Sequence, residues 1–107
     1  MAFDALEVAI QLCTALCAPL DRLRQRDRDL EDQARRAANG IALQLSESRH
    51  RVGKDRLHLR RIAAGSADEL HTALRLAIAW GFLDEPTLAE PFALLTRVQA
   101  MCWRLIH

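Results

Sequence analysis

Between Arg49 and Arg61 the chain gathers Arg49, His50, Arg51, Lys54, Arg56, His58, Arg60 and Arg61 against a single acid, Asp55. Phosphate binding requires cations exposed on one surface, and the planar guanidinium fork matches phosphate oxygens. Arg49, Arg51, Lys54, Arg56, Arg60 and Arg61 are therefore candidate contacts to RNA or DNA. No aromatic residue interleaves with them, so stacking on unpaired bases is not expected. The competing reading is a solvated helix end whose arginines pair with acids of the region 27–32.

Other constellations point to structure more than to catalysis. Arg35 or Arg36 set against Glu69 on a facing helix would form a partly buried ion pair that fixes helix register. Glu47-x-x-His50 fits the Glu-x-x-His element of a di-metal carboxylate bundle, and Asp68-x-x-His71 approximates a second copy. Some 17 residues of helix beyond the turn separate the two, about 20 Å at 1.5 Å per residue, too far to share a cluster. Ser66 beside Gly65 reads as a point of close helix approach, not as a nucleophile. The chain offers no Gly-rich phosphate loop, no Cys-x-x-Cys pair and no Ser-His-Asp order. The expectation is a non-enzymatic protein without cofactor, metal or small-molecule substrate. Cys13, Cys17 and Cys102 are expected as reduced thiols, acting as small apolar residues.

Positioning these residues falls to helices. Half of the 107 residues are apolar and 5% aromatic, and four glycines with three prolines are too few for the turns of a β-sandwich. Leu, Ala and Arg dominate, which favours an all-α domain spanning residues 1–107. Fifteen basic and fourteen acidic residues leave a net charge of +1, which by itself predicts no nucleic-acid binding. The apolar run 1–20 carries Asp4 and Glu7 and lacks a basic start, so neither a secretory leader nor a membrane span is expected, and the cytoplasm is the default compartment.

The pattern predicts helices at approximately 3–25, 29–48, 55–80 and 86–106. In the first, Phe3, Leu6, Ile10, Cys13, Cys17 and Leu20 form a seam, with Val8, Leu12 and Ala15 as a second strip and a kink at Pro19. The second places Leu30, Ala34, Ala37, Ile41 and Leu45 on one face, and its small residues Ala34, Ala37, Ala38 and Gly40 admit a close neighbour. It ends near Gly53, a left-handed position, and Asp55 caps the third helix. The third lines up Leu59, Ile62, Ala63, Ser66, Leu70, Ala73, Leu74 and Ala77, and stops at Gly81. Asp84 and Pro86 start the fourth, where Pro91 is awkward and Leu88, Phe92, Leu95, Val98, Cys102 and Leu105 form the stripe. Short connections make an up-down-up-down bundle the simplest packing. Helices 1 and 4, with Trp80 and Trp103, carry more apolar surface than one small bundle buries, so a homo-oligomer is expected.

The stretch 33–70 resembles the four-helix-bundle proteins encoded in intervening sequences of bacterial 23S ribosomal RNA genes. The resemblance rests on Gln33, Arg35, Arg36, Ala37, Ala38, Ile41 and Glu47, then Arg51, Lys54 and Asp55, then Ile62, Ala63, Gly65, Ser66, Glu69 and Leu70. Gln44 to Ser48 depart from the family's N-I-A-E-G. The resemblance implies a left-handed up-down bundle assembling as a ring of five. A similar bundle family, the accessory variability determinant of diversity-generating retroelements, forms basic pentameric barrels that bind nucleic acid and a reverse transcriptase. Two functional expectations follow: an oligomeric module whose basic turn faces RNA or DNA, or a structural or adaptor protein that engages another protein.

Overall fold

A computed structural model describes the backbone of residues 2–107 and side chains from Asp4 onward; the expected seam contact of Phe3 lies outside the described residues. Four helices account for nearly all of it: α1 (Ala2–Arg26), α2 (Arg28–Ser48), α3 (Gly53–Ala79) and α4 (Ala89–Ile106), the last preceded by a 3-10 turn at Pro86–Leu88. A 27-residue helix at 1.5 Å per residue is about 40 Å long. The molecule measures 43 × 22 × 19 Å, so the helices run along its long axis. Each packs on its neighbours in sequence and α1 closes on α4, an up-down four-helix bundle. Among the described residues, no helix is long and apolar enough to cross a membrane.

The connections have specific chemical causes. One extended residue, Asp27, turns α1 into α2, and its carboxylate accepts from the Leu30 N–H at 2.9 Å as an N-cap. The alternating charges of 21–29 are therefore not a loop: α1 runs through them to Arg26 and buries Leu23. At the second turn Gly53 adopts φ +58 and opens α3 two residues ahead of the expected start. Asp55 is thus not the cap; Val52 holds that position, and Asp55 lies inside the first turn, near the positive end of the helix dipole. After α3, Gly81 (φ +78) donates to the Ile78 carbonyl and Phe82 to that of Ala77, both at 2.9 Å, closing a Schellman motif. Asp84 then accepts from the Thr87 N–H at 3.0 Å and from its hydroxyl. Pro91 is buried in the first turn of α4, where its missing N–H costs no intrahelical bond. Pro19 also sits within a continuous α1, buried against the core.

The core is a single cluster with Leu12, Leu16, Leu23, Ile41, Leu70, Leu74, Leu88, Leu95 and Val98 fully enclosed. By area, each such side chain contributes about 1.5–3 kcal/mol. The buried face of α1 is Ala5, Leu6, Val8, Ala9, Leu12, Leu16, Leu20 and Leu23: Leu6 and Leu20 of the expected seam and Val8 and Leu12 of the second strip are buried, while Ile10 and Cys17 of the seam face outward. Cys102 is buried, and desolvation pushes its thiol up to about 11. On α3, Ala67 joins the buried face while Ile62 is exposed. Among the described residues the exposed large apolar side chains are Ile10 on α1, Leu43 on α2, Val52 and Trp80 at the two caps of α3, Ile62 and Leu76 on α3, and Trp103 on α4. The two tryptophans are thus exposed as expected, while the rest are spread over the bundle and not concentrated on helices 1 and 4.

The tightest approach joins α2 to α3. A Cβ placed on Gly40 would stand 3.0 Å from the Ser66 hydroxyl oxygen. Replacing a helical glycine by alanine ordinarily stabilises by about 1 kcal/mol. Gly40→Ala is expected to lose most of that gain in the native background and to recover about 1 kcal/mol when combined with Ser66→Ala. Urea unfolding of the four proteins of this double-mutant cycle measures the coupling.

Candidate nucleic-acid interface

The antiparallel order of the helices decides which charges meet. The turn 49–52, the start of α1 and the last turns of α4 share one end of the bundle. That half holds Arg49, Arg51, Lys54, Arg56, Arg60, Arg61 and Arg104 against Asp4, Glu7, Glu47 and Asp55, seven cations to four acids. The other half holds the remaining eight cations and ten acids. A net charge of +1 thus conceals an axial separation of charge, positive at the turn.

The pairing of turn arginines with acids of 27–32 does not occur. Those acids stand at the far end of the 21-residue α2, about 30 Å away. They are engaged locally: Glu31 with Arg35 at 2.6 Å, Asp32 with Arg36 at 3.1 Å, and Asp27 in its cap. The same contacts correct the expectation for Glu69. Arg35 faces α1, where Asp21 lies 3.9 Å away, and its hydrogen bond to buried Glu31 raises the guanidinium above its ordinary pKa. Glu69 is exposed, beside Gln33, Gly65 and Leu76 in a shallow groove between α2 and α3. An i,i+4 partner on the same helix is reached without bending either backbone, and α2 supplies one to each arginine.

The six candidate cations divide by surroundings. Arg49, Lys54 and Arg61 are exposed, and Arg51 is half-exposed while holding Glu47 at 2.9 Å. An exposed i,i+4 pair of this kind contributes only about 0.3–0.5 kcal/mol and yields readily to a phosphate. Arg56 donates from Nε to the Arg51 carbonyl at 2.7 Å and fastens the turn. Arg60 reaches across to α4, where Nη1 donates to the Leu105 carbonyl at 3.3 Å, while its buried Nε has no partner. Burial, with Arg56 adding repulsion, lowers its pKa. Arg56 and Arg60 therefore build the end of the bundle, and Arg49, Arg51, Lys54 and Arg61 present charge to solvent. The fold adds Arg104, which a reading by sequence proximity missed; four antiparallel helices of similar length already imply that the end of the fourth lies beside the start of the third.

The histidine elements remain apart. Glu47 and His50 belong to the turn, whereas His71 lies far along α3 with its ring edge-on to Phe92, 5.4 Å between centroids. Among the described residues, no three of His, Cys, Asp or Glu gather as metal ligands would. A groove of about 550 Å³ lies between α3 and α4, lined by His71, Arg75, Ile78, Phe92 and Thr96, in the acidic half and away from the basic turn.

Arg60 generates a stability test. Its bond to the α4 end is worth about 1 kcal/mol, and its orphaned Nε costs a similar amount. Arg60→Met, which keeps the aliphatic stem, is expected to leave unfolding free energy unchanged or raised by up to about 1 kcal/mol, measured by urea denaturation.

Comparison with known proteins follows this geometry. The family profile described as 23S rRNA-intervening sequence protein matches residues 2–104. No curated protein matches the chain. A crystal structure of a protein of unknown function from the S23 ribosomal protein family of Bacteroides thetaiotaomicron superposes with a TM-score of 0.82, at 18% identity, covering 99% of this chain and 98% of that one. At that identity the likeness concerns the fold.

Proposed function

The chain belongs to the 23S rRNA-intervening sequence protein family, and on that footing we propose that it is a non-enzymatic, cytoplasmic bundle that binds RNA or DNA through its basic end. The observation that carries this reading is the axial charge separation: seven cations against four acids share the end of the bundle that holds the turn, with Arg49, Arg51, Lys54 and Arg61 facing solvent. A phosphate backbone meeting such a surface releases condensed counterions, so affinity falls steeply as salt rises. The apolar side chains left in water support assembly. Leu43, Ile62, Leu76 and Trp80 expose 66%, 38%, 42% and 69% of their surface, and together they give α2 and α3 an apolar outer face suited to another subunit. The assembly proposed is the family's ring of five left-handed bundles, which would repeat the basic end once per subunit. The alternative reading, an adaptor for another protein such as a reverse transcriptase, draws on the same apolar face, since Trp is a residue type enriched at binding hot spots.

Changing Arg51, Lys54 and Arg61 together to Glu is expected to abolish retention of a mixed RNA and DNA pool at low salt. The matched reversal of Arg24, Arg28 and Arg36 in the acidic half should leave it intact. Wild-type protein that retains neither nucleic acid at low salt would defeat the reading. In light scattering at micromolar concentration the protein is expected to run as an oligomer, and Leu76→Glu with Trp80→Glu to shift it toward monomer; a wild-type monomer contradicts the assembly.

A further inference from the structure

The basic segment has no aromatic residue of its own, but the fold delivers one. Trp103 lies on α4, in the half of the bundle that carries the basic turn, and exposes 62% of its surface. Its position around α4 follows from contacts further along the same helix. Phe92 meets His71 of α3, and Gln99 donates to Asp68 of α3 at 3.1 Å. Positions 92, 99 and 103 recur at helical spacing, so Trp103 continues the stripe that faces α3. The pairs 92 with 71, 99 with 68 and 105 with 60 run antiparallel, which sets Trp103 level with the stretch of α3 that carries Arg60 and Arg61. One face of the indole is covered by His107, 4.7 Å between ring centroids at 31°. Arg104 adjoins it in the chain. The acids of this end are Asp4, Glu7, Glu47 and Asp55, and Glu47 is held by Arg51.

An exposed indole with an imidazole tilted over one face, level with Arg61 and next to Arg104 in the chain, is suited to hold an unpaired base: the ring stacks the base while the cations hold the adjoining phosphates. A duplex offers the phosphates but keeps its bases stacked inside. We propose that the nucleic acid bound at the basic end is single-stranded, or a single-stranded end, with one base stacked on Trp103 beside Arg61 and Arg104. This rests on the phosphate-binding reading above and adds the strandedness of the ligand.

The chain has two tryptophans, so Trp80→Phe leaves Trp103 as the reporter. Its fluorescence is titrated with a single-stranded RNA of about a dozen nucleotides and with the same strand annealed to its complement. Saturable quenching by the single strand is expected. Trp103→Ala should weaken single-strand binding roughly ten- to a hundredfold and leave duplex affinity within about twofold, while Trp103→Phe retains most of the single-strand affinity. Unchanged single-strand affinity in Trp103→Ala overturns the stacking site and leaves the phosphate reading standing. Wild-type protein that binds neither form at low salt overturns both. If Trp103→Ala dissociates the assembly in light scattering, the indole is a subunit contact and the proposal is wrong.

Discussion

The close packing of α2 on α3 organises this bundle. Gly40 on α2 meets Ser66 on α3, and the two helices bury small residues on either side of that approach, Ala34, Ala37 and Ala38 on one and Ala63, Ala67 and Ala73 on the other, which lets the backbones come together. A small-residue seam has few registers in which its surfaces interlock, so it fixes how far α3 slides along α2. That register in turn fixes the turn 49–52, the level at which Arg60 meets the end of α4, and the depth at which Leu70 and Leu74 enter the core against Leu12, Leu16 and Leu95.

Electrostatics follow from topology more than from composition. In the first turns of α2, Glu31 and Asp32 each meet an arginine one turn away and Asp27 caps the helix. The turn end has fewer acids than cations. Arg51 holds Glu47, while Arg56 meets the carbonyl of Arg51 and Arg60 that of Leu105 at the negative end of the α4 dipole. Carbonyl contacts satisfy donors without neutralising charge, so the end stays positive. The ring proposed above would multiply this surface, and the stacking site proposed on Trp103 would give it a preference that charge alone does not supply.

Much of the architecture was legible in residue spacing. The face of α2, the left-handed positions at Gly53 and Gly81, the Asp84 start and the Gly40–Ser66 approach all follow from local patterns with local physical causes. Errors came where two patterns competed. On α1 the strips through Ile10 and Cys17 and through Leu12 and Leu16 are nearly equivalent by periodicity, and burial of the second was settled by where α2 and α4 lie. Asp55 fitted a cap motif, but Gly53 started the helix earlier. Arg35 and Arg36 were matched to Glu69 across the bundle, although nearer carboxylates one turn away on their own helix had the prior claim.

Local chemistry along the chain was enough for four helices, their stops and their short turns, because capping, helix propensity and apolar spacing act over a few residues. Family membership too was legible there, in the residues around the second turn. The basic turn of the candidate site was legible as well, but the part that α4 adds to it was not, because that part joins residues more than forty positions apart. Arg60 with Leu105, and the level shared by Arg61 and Trp103, exist once antiparallel packing lays the end of α4 beside the start of α3. A near-zero net charge likewise says nothing about the axis along which charges are sorted. Folding sorts them, since charge density is a property of position in space and the chain records order alone.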